Sequence, residues 1–84
     1  MYKDIEIGDI LIYNGKLEYA QNAFTKAMMK IYLSVGEYYI VKSILHGEVG
    51  DVYYGVDHGG GFWYHEKCFD IDYRYNISKK YGLR

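Results

Sequence analysis

Proline is absent from the 84 residues, and cysteine occurs once. The missing proline carries no functional weight, but the scarcity of cysteine does. A lone Cys68 forms no internal disulfide, and a small secreted domain usually needs several, so a disulfide-stapled scaffold is excluded and a reducing, intracellular setting is the expectation. Long apolar runs are missing too: none approaches the roughly 18 residues of a membrane span. The start, Met1-Tyr2-Lys3-Asp4-Ile5-Glu6, has charges where a signal peptide needs an apolar core, so a soluble, cytoplasmic chain is expected. A positive excess is also lacking, since net charge is −1. Residues 35–58 sum to −3 and 59–75 to −1, while 76–84 sum to +3. Nucleic-acid affinity rests on lysine and arginine neutralising phosphates, so an acidic body argues against a broad phosphate-tracking surface and leaves only the tail for one.

Tyrosine is abundant instead, at twelve residues, with half the chain hydrophobic and a quarter charged. That is a globular composition, and the length is that of one domain, which buries only about 60 to 65% of its unfolded surface. A domain this small cannot hide twelve tyrosines, and tyrosine is enriched at binding surfaces.

Along the chain, Ile5 and Ile7 alternate around Glu6, Gly8-Asp9 breaks the run, and Ile10-Leu11-Ile12-Tyr13 resumes it, which reads as two strand segments around a turn. Asn14-Gly15 then predicts a hairpin with Tyr13 opposite Lys16, Ile12 opposite Leu17 and Ile10 opposite Tyr19. Phe24, Ala27, Met28, Ile31 and Tyr32 share one helical face, with Asn22 placed to cap the start. About ten helical residues cannot persist alone, so this face is expected to dock on the sheet. The alternative leaves Met28-Met29 exposed for a partner, since methionine suits adaptable surfaces.

Residues 33–72 organise the rest. Short runs of Tyr, Val, Ile, Phe and Trp, each closed by glycine or a polar turn, predict a small antiparallel sheet. Tyr39, Val41 and Ile44 face inward if a bulge lies near Lys42-Ser43. Val52, Tyr54 and Val56 face inward in the next strand. Asp57 to Gly61 turns, Phe62 to His65 returns, Glu66-Lys67-Cys68 makes a 3₁₀ turn that drops Phe69 into the core, and Ile71, Tyr73 and Tyr75 give a last strand.

The succession of Gly8-Asp9 near the first strand, then Leu33, Gly36, Tyr39 and Val41 in a Leu-x-x-Gly-x-x-Tyr-x-Val pattern, then Trp63-Tyr64 and Cys68-Phe69, resembles the small SH3-like barrel proteins encoded by bacteriophages. The likeness covers residues 5 to 72, and the segment between Tyr13 and Leu33 departs from it. The resemblance implies a mainly β, SH3-like antiparallel barrel of about five strands over residues 1–75; the hairpin-plus-helix insert around residues 14–32 and the basic tail at 76–84 are read from this sequence alone. It also implies an accessory protein of the bacterial cytoplasm, acting against a host component, with no single activity common to the group.

Reactive constellations are thin. His58, His65 and Cys68, with His46, supply zinc-type ligands at spacings unlike the paired knuckles of structural sites, so no metal or cofactor is expected. Cys68 near His65 invites a thiolate reading, but no orienting third group or oxyanion hole accompanies it, and a thiol beside Phe69 is read as buried. Gly59-Gly60-Gly61 has strands on both sides rather than a following helix, so it reads as a hairpin turn and not a phosphate cradle. The rings carry more weight: Phe62 and Tyr64 share one face of their strand and Trp63 and His65 the other, alternation alone does not decide which is buried, and with Trp63 outward, Tyr38, Tyr53 and Trp63 form an exposed patch on adjacent strands.

The sequence therefore predicts a non-enzymatic binding protein, a phage factor that sterically inhibits a host defence nuclease, toxin or regulator. Tyr38, Tyr53 and Trp63 would anchor the contact, and the insert with Met28 and Met29 would add selectivity. A second reading is single-stranded RNA or DNA binding, with bases on the aromatics and Lys79, Lys80 and Arg84 on phosphates. A third is self-association through Met28-Met29 and an open strand edge.

Overall fold

The computed structural model describes residues 5–71. The proposed phosphate contacts Lys79, Lys80 and Arg84, and the last strand beyond Ile71, lie outside the described residues.

Five strands and one helix follow in order: β1 (Ile10–Tyr13), α1 (Ala23–Tyr32), β2 (Tyr38–His46), β3 (Val52–Val56), β4 (Tyr64–His65) and β5 (Phe69–Ile71). All strand pairs are antiparallel, in the spatial order β4-β3-β2-β1-β5. Among the described residues the sheet is open, with β4 and β5 at opposite edges rather than paired to close a barrel.

β1 explains why the predicted Asn14-Gly15 hairpin does not form. Leu11 pairs with Tyr39 on one side and with Ile71 on the other, so β1 is an inner strand with no edge free for residues 16–19. Asn14 is tied down elsewhere: its side-chain amide donates to the Lys67 carbonyl at 3.0 Å and to Asp70 Oδ1 at 3.1 Å, while its Oδ1 accepts from the Lys16 N–H. The chain leaves through Gly15 at φ 79 and enters a 3₁₀ turn at Leu17–Tyr19 instead of a strand. Ile5 to Ile7 are likewise not strand; the Asp9 N–H donates to the Glu6 carbonyl in a turn through Gly8.

In β2 the bulge falls where alternation demanded it. Tyr39 and Val41 are both buried, and the register with β3 slips between Val41 and Ser43. Beyond the slip Ile44 lies opposite Tyr54 and packs against the core. The core joins Leu11, Tyr13, Tyr39, Val41, Tyr54, Val56, Tyr64, Cys68 and Phe69 from the sheet side to Met29 of α1 and Leu33 just after it. Two of its tyrosines have partnered hydroxyls, as buried polar groups favour. Tyr39 accepts from the Ser34 N–H at 2.7 Å, and Tyr64 donates to the Gly59 carbonyl at 2.6 Å.

Helix α1 begins where expected, with Asn22 Oδ1 accepting from the Thr25 N–H at 2.8 Å. Its orientation is not the expected one. The buried line runs through Thr25 and Met29 to Leu33, one residue and so about 100° around from the predicted Phe24-Met28-Ile31 stripe. Met29 is 0% exposed, which corrects the picture of an exposed Met28-Met29 pair, and Met28 is half-buried against the core.

Candidate functional site

Turning α1 by one residue puts a different set of side chains in water. Phe24 is 59% exposed, Ile31 66% and Tyr32 42%. They are not loose. Phe62, from the loop before β4, packs its ring edge-on to Phe24 at 5.4 Å between centroids and tilted against Tyr32 at 6.0 Å. Gly60, at φ 76, lets the Tyr32 ring lie flat on the loop backbone; a Cβ there would sit 2.7 Å from the ring. That loop is itself anchored, since Asp57 Oδ1 accepts from the Ile40 N–H at 2.7 Å and the Asp57 N–H donates to the Ile40 carbonyl. The outcome is an apolar surface held rigidly by α1 and the β3–β4 loop. By the printed fractions, Phe24, Ile31 and Tyr32 expose on the order of 300 Å², the size at which a patch on a monomer is often functional.

A second ring cluster lies on the outer face of β3 and β4. His65 stacks on Tyr19 at 5.8 Å and meets Tyr53 edge-on at 5.4 Å, and Lys67 Nζ stands 5.5 Å from the Tyr19 centroid. The Lys67 N–H donates to His65 Nδ1, which fixes that ring. The Tyr53 hydroxyl donates to Asp51 Oδ2, and this bond pushes the Tyr53 phenol above its ordinary value. A shallow cleft of about 340 Å³ opens here, with Asp51 and Glu66 beside Lys67 in its wall. The rings already satisfy one another, and each carboxylate would repel a phosphate. A hollow of about 380 Å³ near β5, lined by Ile5, Leu11, Tyr54, Phe69 and Ile71, borders the ends of the described chain.

Of the predicted anchors, Tyr53 and Trp63 share this outer face and are half-buried, Trp63 lying over Gly55. Tyr38 does not join them. It pairs with Ile12, whereas Tyr53 pairs with Leu45, seven residues further along β2, which is roughly 23 Å. Four of the eight tyrosines among the described residues, Tyr13, Tyr39, Tyr54 and Tyr64, are core. The residues that sequence reasoning missed are Phe24, Ile31 and Tyr32, assigned to the buried side. A signal was present: from Ile31 round to Met29 the apolar arc of α1 covers about 160°, more than the roughly 100° stripe a one-sided surface helix needs.

Cys68 is fully buried, and its thiol donates to the Lys16 carbonyl at 3.7 Å rather than to His65. Burial, with Glu18 adding to it, pushes the thiol up to about 11, so it keeps its proton at neutral pH and lacks the thiolate a nucleophile needs. No group of three or more metal-ligating side chains gathers among the described residues, and no helix among them is long and apolar enough to cross a membrane. Comparison with known proteins finds no matching family model, no matching curated protein and no matching solved structure.

Proposed function

We propose that this chain is a non-enzymatic binding protein that acts by covering part of another protein, with α1 and Phe62 as the contact surface. The observation that carries the reading is the exposure of Phe24, Ile31 and Tyr32 on a braced surface, where leaving large apolar side chains in water has a cost that a partner removes. The protonated, buried Cys68 and the mutually satisfied rings at His65 support binding over chemistry. On this reading the sheet is an SH3-like scaffold of the kind found in phage-encoded accessory proteins. Its target is a host protein of the bacterial cytoplasm, a defence nuclease, toxin or regulator, inhibited sterically. The insert, first assigned a selectivity role, becomes the anchor.

Nucleic acid is the poorer fit. Residues 5–71 hold five lysines against nine carboxylates, a formal −4, and strong phosphate binding needs the opposite sign.

The test is affinity capture from bacterial lysate with three baits: wild type, Phe24→Ser/Ile31→Ser, and Tyr53→Ala/Trp63→Ala. Wild type and the Tyr53/Trp63 variant are expected to recover the same protein, and the helix-face variant to lose it. Equal recovery by all three would overturn the reading.

A further inference from the structure

The carboxylates that would turn a phosphate away from the cleft at His65 favour a ligand of the opposite sign. The cleft is walled by Tyr19 from the 3₁₀ turn after β1, Val49 and Asp51 from the β2–β3 loop, His65 from β4, and Glu66 and Lys67 from the turn before β5. Little offsets the charge of Asp51: its Oδ2 accepts from the Tyr53 hydroxyl, and its Oδ1 is buried with no hydrogen-bond partner among the described residues. One cation is already drawn to the place. Lys67 Nζ stands over the Tyr19 ring at 5.5 Å, inside the roughly 6 Å across which a ring attracts a cation. Lys67 is exposed and its ammonium has no ion-pair partner among the described residues, so the ring contact is readily exchanged.

The supply of acceptors decides which outside cation fits. A primary ammonium brings three N–H donors to satisfy, and a hard metal ion needs several oxygen ligands. With Asp51 Oδ2 taken and Oδ1 out of reach of solvent, Glu66 is the one carboxylate left in the wall to meet either. A quaternary ammonium donates no hydrogen bond. It asks for a ring face, apolar contact and a negative field, and the cleft offers Tyr19, the 89% exposed Val49 and the two carboxylates. Its volume of about 340 Å³ lies at the low end of the roughly 300 to 1,000 Å³ of ligand sites, which suits an ion the size of a headgroup.

We propose that this cleft binds a small quaternary ammonium ion on Tyr19, in place of the Lys67 ammonium. His65 and Tyr53 act as positioning residues: His65 stacks on Tyr19 at 5.8 Å, and Tyr53 meets His65 edge-on while its hydroxyl holds Asp51. This site is separate from the apolar face on α1 and does not rest on it.

Choline titrated into the full chain, followed by amide and ring resonances, tests this. Three comparison ligands accompany it: ethanolamine, which has the same skeleton with a primary ammonium, the uncharged carbon isostere of choline, and phosphocholine. Choline is expected to saturate with a Kd on the order of 1 mM, shifting resonances of Tyr19, Asp51 and His65, and to bind at least about tenfold more tightly than ethanolamine or the isostere. Tyr19→Leu should lose binding, and Lys67→Met, at an exposed position, should tighten it by about threefold or more, with thermal melts showing that each variant folds. Absence of saturation in the millimolar range, shifts confined to other residues, or equal binding of ethanolamine or the isostere overturns the proposal. Unchanged affinity in Lys67→Met overturns the displacement of Lys67. Phosphocholine should bind more weakly, since Asp51 and Glu66 oppose its phosphate; binding as tight as choline overturns a free cation and assigns the cleft to a phosphate-bearing headgroup. Phe24→Ser/Ile31→Ser is expected to bind choline as wild type does, and a loss there would overturn the separation of the two sites.

Discussion

Burial sets the alkaline limit of this molecule through three side chains. It pushes Cys68 from 9.0 to about 11 and both Tyr54 and Tyr64 from 10.0 to about 12, with Glu18 adding to the first, Glu66 and Asp9 to the second, and neighbouring tyrosines to the third. Each group is neutral when protonated, so above about pH 9 the unfolded chain gives up protons that the folded chain retains. The stabilisation is complete below that pH and is lost as pH climbs towards 12. Urea midpoints are expected to be level around neutrality and to fall steadily above about pH 9; a midpoint that holds through pH 11 would contradict the assigned burial. Gly60 offers a second test at this scale. Gly60→Ala is expected to cost about 1 to 3 kcal/mol in urea unfolding, from the positive φ and from the Tyr32 ring lying on it. In a Tyr32→Ala background the cost should shrink by at least about 0.5 kcal/mol as the ring term disappears.

At the scale of elements, the rotation of α1 separates residues that look alike in sequence. Met29→Ala should cost about 2 to 5 kcal/mol, and Ile31→Ala should stay within about 0.5 kcal/mol. Similar losses at both positions in urea titrations would mean that the predicted stripe, and not the observed one, packs on the sheet. Asn22→Ala should cost about 1 kcal/mol through the lost cap. The contrast shows what the sequence could specify. The bulge in β2 was legible because strict alternation would have buried Ser43, and the 3₁₀ turn before Phe69 because Cys68-Phe69 had to reach the core. The helix and its cap were legible from period and Asn22. Its rotation was not, because Thr25, Met29 and Leu33 make a second stripe beside the first, and period alone does not rank two adjacent stripes. Asn14-Gly15 misled for a related reason: local turn preference favours a hairpin, but pairing of β1 with both β2 and β5 removes the edge such a hairpin needs.

For the whole molecule, the division of charge and apolar surface is the central fact. An acidic body carries one helix whose charges are only lysines, and Phe24, Ile31 and Tyr32 stand exposed on a different side of that helix from Lys26 and Lys30. The exposed apolar surface was partly legible: an excess of rings did point to exposure, but half the described tyrosines went into the core, and Phe24, Ile31 and Tyr32 of α1 stand in water instead. The most direct test of the central claim is amide hydrogen exchange on the chain with and without its captured partner. The account predicts added protection across residues 23–35 and 58–63 and unchanged exchange in the His65 cluster. Protection centred on Tyr19, Tyr53 and His65, with α1 unaffected, would contradict it.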